Sequence, residues 1–116
     1  EGWQDVIDQV SLIEFNALQW ARCVDIALDD KPLIAPDRWL DVRYEDLITR
    51  PADTLGQITA FMGLTLPPAY LDTLPPIRSD NRGKWRAGLS PADQDKVARI
   101  IAPTLTRVGY PLDGDY

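Results

Sequence analysis

The chain has 116 residues, of which 45% are hydrophobic and 26% charged, a balance typical of a folded globular domain and not of a disordered segment. Its net charge of −6 disfavours nucleic acid and anionic membranes as partners. Because it contains no apolar run near the roughly 18 residues of a membrane span and no secretory signal, we expect a cytoplasmic protein without a membrane span. The lack of histidine excludes imidazole catalysis within this chain, and the single cysteine excludes an internal disulfide or a cysteine zinc site.

The first quarter of the sequence is predicted to be helical. Apolar residues recur at three- and four-residue spacing between Trp3 and Leu28, and Ser11 is a candidate break between two helices. Proline at position 32 predicts the end of this element. Cys23, Trp3 and Trp20 fall within the helical pattern, and we expect all three to be buried, with the thiol inert.

An alternating segment follows from Arg38 to Tyr44. Leu40, Val42 and Tyr44 share one side of it, and this alternation predicts a strand. Because one strand cannot form a sheet, we expect it to pair with strands outside this chain. Such an unpaired edge also favours a homodimer.

Later helices carry clear start and stop signals. Pro51 is placed to begin one that ends at Gly63, and Ser90 caps another. Pro103 is predicted to kink or split the last helix. The prolines between these helices leave room for at most one short helix, over residues 69–74.

Residues 78–86, which we call the basic segment, reverse the charge of the chain locally. They hold four basic residues and one acid, whereas the remainder holds 8 basic and 17 acidic residues. Guanidinium groups bind phosphate oxygens, and Gly83 would let the backbone approach an anion. A small, localised anion is therefore one interpretation, and an ordinary solvated turn is the alternative.

A second candidate is the Tyr44-Glu45-Asp46 sequence that follows the predicted strand, where α/β proteins commonly bind ligands. Packing of Tyr44 beside a solvated acidic turn is the alternative. Adjacent carboxylates normally point in different directions, so we do not interpret Glu45 and Asp46 as a catalytic pair.

Three stretches, taken in order, resemble the C-terminal part of bacterial sulfotransferases that use 3′-phosphoadenosine-5′-phosphosulfate (PAPS). They are residues 42–47 (VRYEDL) with 61–64 (FMGL), residues 82–86 (RGKWR), and residues 89–110. The resemblance implies an α/β, P-loop-like, three-layer fold, of which this chain would be the mostly helical C-terminal portion with one strand near 38–44. Residues 1–116 would then be a single domain or fragment without the cofactor-loop half, and inactive alone.

By the same resemblance, the parent enzyme transfers a sulfuryl group from PAPS, without a metal, to a hydroxyl or amine. The acceptor would be a small molecule, a carbohydrate or a peptide, and the helices of residues 3–28 would line part of its pocket. No catalytic residue is expected in this chain. The residues expected to bind the cofactor are Tyr44 at the adenosine, Arg82, Gly83 and Lys84 at the 3′-phosphate, Trp85 fixing their loop, and Ser79 at the adenine or phosphate.

A different class of function is also open. The chain would be a non-enzymatic helical interaction domain whose basic segment docks an acidic partner. A nucleic-acid binder is disfavoured, because the net charge is negative and no second basic stripe is present.

Overall fold

The computed structural model describes residues 2–65, 67–71, 73 and 77–112, and within them it contains helices and no strand. These residues divide into two compact units, the first built from residues before 33 and after 82, the second from residues 33–82. The elements are α1 (Trp3–Ile7), α2 (Leu12–Asp30), α3 (Tyr44–Thr49), α4 (Pro51–Phe61), α5 (Pro68–Leu71), α6 (Lys84–Gly88), α7 (Pro91–Arg107) and 3-10 turns at Lys31–Leu33 and Pro36–Arg38.

Ser11 separates α1 from α2, as predicted. Its hydroxyl accepts a hydrogen bond from the Glu14 backbone N–H at 3.4 Å, and the Ser11 backbone N–H donates to the Glu14 carboxylate at 3.1 Å. This reciprocal arrangement satisfies two backbone donors that would otherwise lack partners at a helix start.

Helices α2 and α7 lie side by side in the first unit. Ion pairs join Glu14 to Lys96 at 3.7 Å and Asp25 to Arg107 at 2.6 Å. Residues 14 and 25 on α2, like residues 96 and 107 on α7, are 11 positions apart. The two helices therefore run parallel and in register over about 16 Å.

Small residues allow these two helices to approach closely. Ala17 and Ala21 of α2 are buried, as is Leu105 of α7. Thr104, only 1% exposed, donates its hydroxyl hydrogen to the Asp25 carboxylate at 3.1 Å. The buried hydroxyl is thus satisfied, and the contact fixes the end of α7 against α2.

Two side chains of α2 that were predicted to be buried are exposed in the structure. Cys23 is exposed, and Trp20 is 41% exposed, because the buried face of α2 is the one that carries Ala17 and Ala21. The side chain of Trp3 lies outside the described residues.

The predicted strand at 38–44 is wrong. Arg38 ends a 3-10 turn, residues 39–43 form no regular element, and Tyr44 begins α3. Trp39 and Arg43 keep the extended backbone that the alternating pattern favours. However, a strand also needs a hydrogen-bonded neighbour, and no segment within the described residues supplies one.

The later helices agree with their sequence signals, with one correction. Pro51 begins α4, Gly63 has a positive φ of 69°, and the Ser90 hydroxyl accepts from the Asp93 backbone N–H at 3.2 Å. Of the two outcomes predicted at Pro103, the split does not occur, because α7 continues through the proline; the kink stays a prediction. The contacts of α7 with α2 hold the turn that follows the proline. The short helix predicted over 69–74 overlaps with α5, which spans Pro68–Leu71; residue 73 lies in a turn, and residues 72 and 74 lie outside the described residues.

Candidate functional site

In the second unit, the structure brings Tyr44 next to Arg78, the first residue of the basic segment. Tyr44 is the first residue of α3, and its hydroxyl donates to the backbone carbonyl of Arg78 at 3.3 Å. The two residues are 34 positions apart in the sequence. The side chain of Tyr44 remains 44% exposed, so its ring is accessible to a ligand.

The charge of Arg78 is compensated within the basic segment. Its Nε and Nη2 atoms donate to the two carboxylate oxygens of Asp80 at 3.0 and 2.7 Å, a two-pronged arrangement. Hydrogen bonding to Asp80 is the main cause that raises the pKa of Arg78, and Tyr44 raises it further. The other cations of the basic segment are Arg82, Lys84 and Arg86.

Ser79 and Arg82 face each other across a tight turn. The Arg82 backbone N–H donates to the Ser79 carbonyl at 3.2 Å, and both side chains are exposed. Since Ser79 directly follows Arg78, the hydrogen bond of Tyr44 reaches the residue before the turn that holds Ser79 and Arg82.

The remaining predicted residues belong to the first unit. Gly83 precedes α6 with φ 71° and ψ 0°, a left-handed conformation that favours glycine. No atom lies within 4 Å of a Cβ built there, so the backbone conformation and not crowding selects glycine. Lys84 and Trp85 open α6, and the guanidinium of Arg86 lies 4.5 Å from the Trp85 ring centroid, a cation–π contact.

Helix α6 is attached to α7 by a residue that sequence reasoning missed. The side-chain amide nitrogen of Gln94 donates to the carbonyl oxygens of Arg86 at 2.8 Å and Leu89 at 3.0 Å. Ser90-Pro91 marks the helix start in the sequence, but no motif marks the glutamine that follows as a partner for the preceding helix.

The chain was compared with protein families, curated proteins and solved structures. The model of the Sulfotransferase family matches residues 2–68, more than half of the 116 residues. The chain belongs to the sulfotransferase family. The comparisons with curated proteins and with solved structures found no match.

Family membership confirms the general predictions of a sulfotransferase and of a transferase. The matched residues include α1 to α4 and therefore Tyr44, whereas the basic segment and α7 lie beyond them. The cofactor, the bacterial origin and the roles of single residues stay predictions.

Two further observations concern the same described ranges. No described helix is both long and apolar enough to cross a membrane. Among the described side chains, no three acidic or cysteine groups are placed to hold a metal ion.

Proposed function

We propose that this chain is the C-terminal part of a PAPS-dependent sulfotransferase and contributes to binding the adenosine 3′-phosphate portion of the cofactor. The family match over residues 2–68 is the observation that carries the proposal. Tyr44 would contact the adenosine, Arg82, Gly83 and Lys84 would hold the 3′-phosphate, and Ser79 and Trp85 would support them. The acceptor and the proton-accepting group of the reaction belong to residues that we do not assign.

The donor set of these residues fits a phosphate group. Arg82 and Lys84 supply two cations on either side of Gly83 in the sequence, and no atom lies within 4 Å of the position that a Cβ of residue 83 would occupy. Asp80 would repel a phosphate, but its carboxylate is paired with Arg78. Cations and backbone amides stabilise oxyanions without a metal.

The hydrogen bond from Tyr44 to Arg78 supports a shared role for the two sequence candidates. It ties the start of α3 to the residue that precedes Ser79, at 3.3 Å. A nucleotide that contacts the exposed ring of Tyr44 would thus meet groups from the same unit at Ser79 and Arg82.

The cofactor would supply an activated sulfuryl group, whose bond to a phosphate oxygen breaks as a bond to the acceptor oxygen or nitrogen forms. The acceptor would give up its proton to the unassigned proton-accepting group, and the nucleotide product would be adenosine 3′,5′-bisphosphate. The residues of this chain would bind and orient the nucleotide, and their positive charge would stabilise its phosphate in both cofactor and product.

Calorimetric titration of the product of the full reading frame tests the proposal. We expect adenosine 3′,5′-bisphosphate to bind at least about tenfold more tightly than adenosine 5′-phosphate, since one charge-assisted contact contributes about 1.5–3 kcal/mol. Equal affinities would overturn the cofactor assignment. An interaction domain with a generic basic patch would instead bind both nucleotides weakly, and added salt would weaken both alike.

A further inference from the structure

We infer that Gln94 is a positioning residue that holds α6 in the orientation in which Lys84 and Trp85 serve the 3′-phosphate site. This inference rests on the proposed function and adds to it a residue from outside the basic segment. The contacts from which it is argued lie within the first unit, which contains both α6 and α7.

Helix α6 needs an external support. It has five residues, and an isolated helix of that length is unstable in water. Carbonyl groups at the end of a helix also lack partners within the helix. At the C-terminal end of α6, the Leu89 backbone N–H donates a hydrogen bond to the Trp85 carbonyl at 2.9 Å.

Gln94 supplies that support with both hydrogens of one amide nitrogen. It donates to the Arg86 carbonyl at 2.8 Å, within α6, and to the Leu89 carbonyl at 3.0 Å, just after it. A primary amide has two donors, so this nitrogen is fully used by the two carbonyls. One side chain thus fixes the end of the helix that carries Lys84 and Trp85.

The backbone of Gln94 is itself held in place. Its backbone N–H donates to the Ser90 carbonyl at 2.9 Å in the first turn of α7. Two positions further on, Lys96 pairs with Glu14 of α2 at 3.7 Å. A continuous series of contacts therefore leads from the long helix α2 through the start of α7 to α6.

Two substitutions separate the hydrogen bonds from the size of the side chain. Gln94→Leu keeps nearly the same volume and removes both donors. Gln94→Glu replaces the donors by an acceptor that faces two carbonyl oxygens, and it serves as the second variant if Gln94→Leu does not fold. Gln19→Leu, on the exposed part of α2, is the matched control for the same chemical change.

The experiment combines nucleotide titration with amide hydrogen exchange on the product of the full reading frame. In both Gln94 variants we expect the preference for adenosine 3′,5′-bisphosphate over adenosine 5′-phosphate to fall about tenfold, the effect of losing a supporting hydrogen bond or two. Amides of residues 84–89 should exchange faster, while those in the middle of α2 and α7 keep their protection. Gln19→Leu should change neither property.

Different results would contradict the positioning role of Gln94 and the proposed function. A wild-type protein that prefers the bisphosphate, together with a folded Gln94 variant that keeps the full preference, would overturn the inference and leave the proposed function intact. Unchanged exchange of residues 84–89 in that variant would also overturn it. Equal binding of both nucleotides by the wild-type protein would instead overturn the proposed function, and the inference with it.

Discussion

Tyr44 offers two separable groups to a ligand site. Its hydroxyl is engaged with the Arg78 carbonyl, whereas its ring is partly exposed. The hydroxyl therefore orders the neighbouring chain, and the ring is the group available for stacking on a base. Substitutions at this position can distinguish the two contributions.

We predict that Tyr44→Ala weakens binding of adenosine 3′,5′-bisphosphate by about 1–3 kcal/mol, the range for one base-stacking contact. Tyr44→Phe keeps the ring and should lose only the contribution of one hydrogen bond, about 0.5–1.5 kcal/mol. Calorimetric titration of the two variants measures the difference. If a folded Tyr44→Ala protein bound as tightly as the wild type, Tyr44 would not lie at the adenosine.

At the scale of single residues, the sequence predicted side-chain charge and backbone conformation, but it did not predict which residues pair through hydrogen bonds or ion pairs. The excess of cations in the basic segment and the positive φ expected at a glycine such as Gly63 follow from residue type alone. The pairing of Arg78 with Asp80 and the bonds of Gln94 do not, because they depend on how a loop folds back on itself. Exposure of Cys23 was unpredictable for a similar reason, since it depends on which face of α2 meets α7.

At the scale of elements, ion pairs and a buried hydrogen bond join the parallel helices α2 and α7. Arg107 near the end of α7 donates to Asp25 and Asp29 at 2.6 Å each, and both carboxylates raise its pKa. An arginine in the last turn also complements the partial negative charge of a helix C-terminus. Thr104 adds the buried hydroxyl contact to Asp25.

We predict that Thr104→Val lowers the free energy of unfolding by about 1–2 kcal/mol, because a buried hydroxyl that donates to a carboxylate is lost while the volume is kept. Thr106→Val is the matched control: that threonine is exposed, and its hydroxyl donates to the Ala102 carbonyl of its own helix. Urea denaturation of both variants measures the effect. Equal changes in the two variants would contradict a specific role for the Thr104 contact.

The start of α2 is expected to depend on pH. Hydrogen bonds from Ser11 are the main cause that holds the pKa of Glu14 below its ordinary value of 4.5, and Lys96 lowers it further. A carboxylate with a lowered pKa in the folded state stabilises the fold above its unfolded pKa, and this contribution is lost as the pH falls through the folded pKa.

Glu14→Gln should therefore reduce the stability difference between about pH 7 and about pH 3, and the wild-type protein should lose more stability on acidification. Ser11→Ala, which removes the principal hydrogen-bond donor to the carboxylate, should act in the same direction. Unfolding by urea at both pH values provides the comparison. An unchanged pH dependence in Glu14→Gln would show that this carboxylate does not contribute.

Elements with caps were predictable, and the extended segment was not. Ser11, Pro51 and Ser90 carry local signals that hold irrespective of the rest of the molecule. The alternation over residues 38–44 correctly indicated extended backbone at Trp39 and Arg43, but strand formation depends on a neighbouring strand. The alternation therefore indicated the conformation of these two residues, but not the helical ends of the segment or its lack of a paired strand.

At the scale of the whole molecule, large apolar side chains are prominent on the described surface. Leu33 is 84% exposed and Leu12 73%, whereas the buried apolar residues of the described ranges are Ala17, Ala21 and Leu105. The family was predicted from three ordered motifs, of which the family match over residues 2–68 covers the first; the motifs at 82–86 and 89–110 lie beyond it. The predicted homodimer and the α/β, P-loop-like architecture stay predictions, since they concern partners and strands beyond the described chain.

In the proposed function, Arg82 and Lys84 hold the 3′-phosphate of the nucleotide. The decisive variant is Arg82→Ala/Lys84→Ala, and the control is Arg22→Ala/Arg99→Ala, which removes the same charge from exposed positions on α2 and α7. Comparing the two variants separates specific phosphate contacts from the overall charge of the protein.

The measurement is the ratio of affinities for adenosine 3′,5′-bisphosphate and adenosine 5′-phosphate, determined by calorimetry on the product of the full reading frame. We predict that Arg82→Ala/Lys84→Ala removes most of the preference, with a loss of roughly tenfold to several-thousand-fold in bisphosphate affinity from two charge-assisted contacts. Arg22→Ala/Arg99→Ala should preserve the preference. If both double variants reduced this affinity ratio equally, or if neither reduced it, Arg82 and Lys84 would not form a specific 3′-phosphate site.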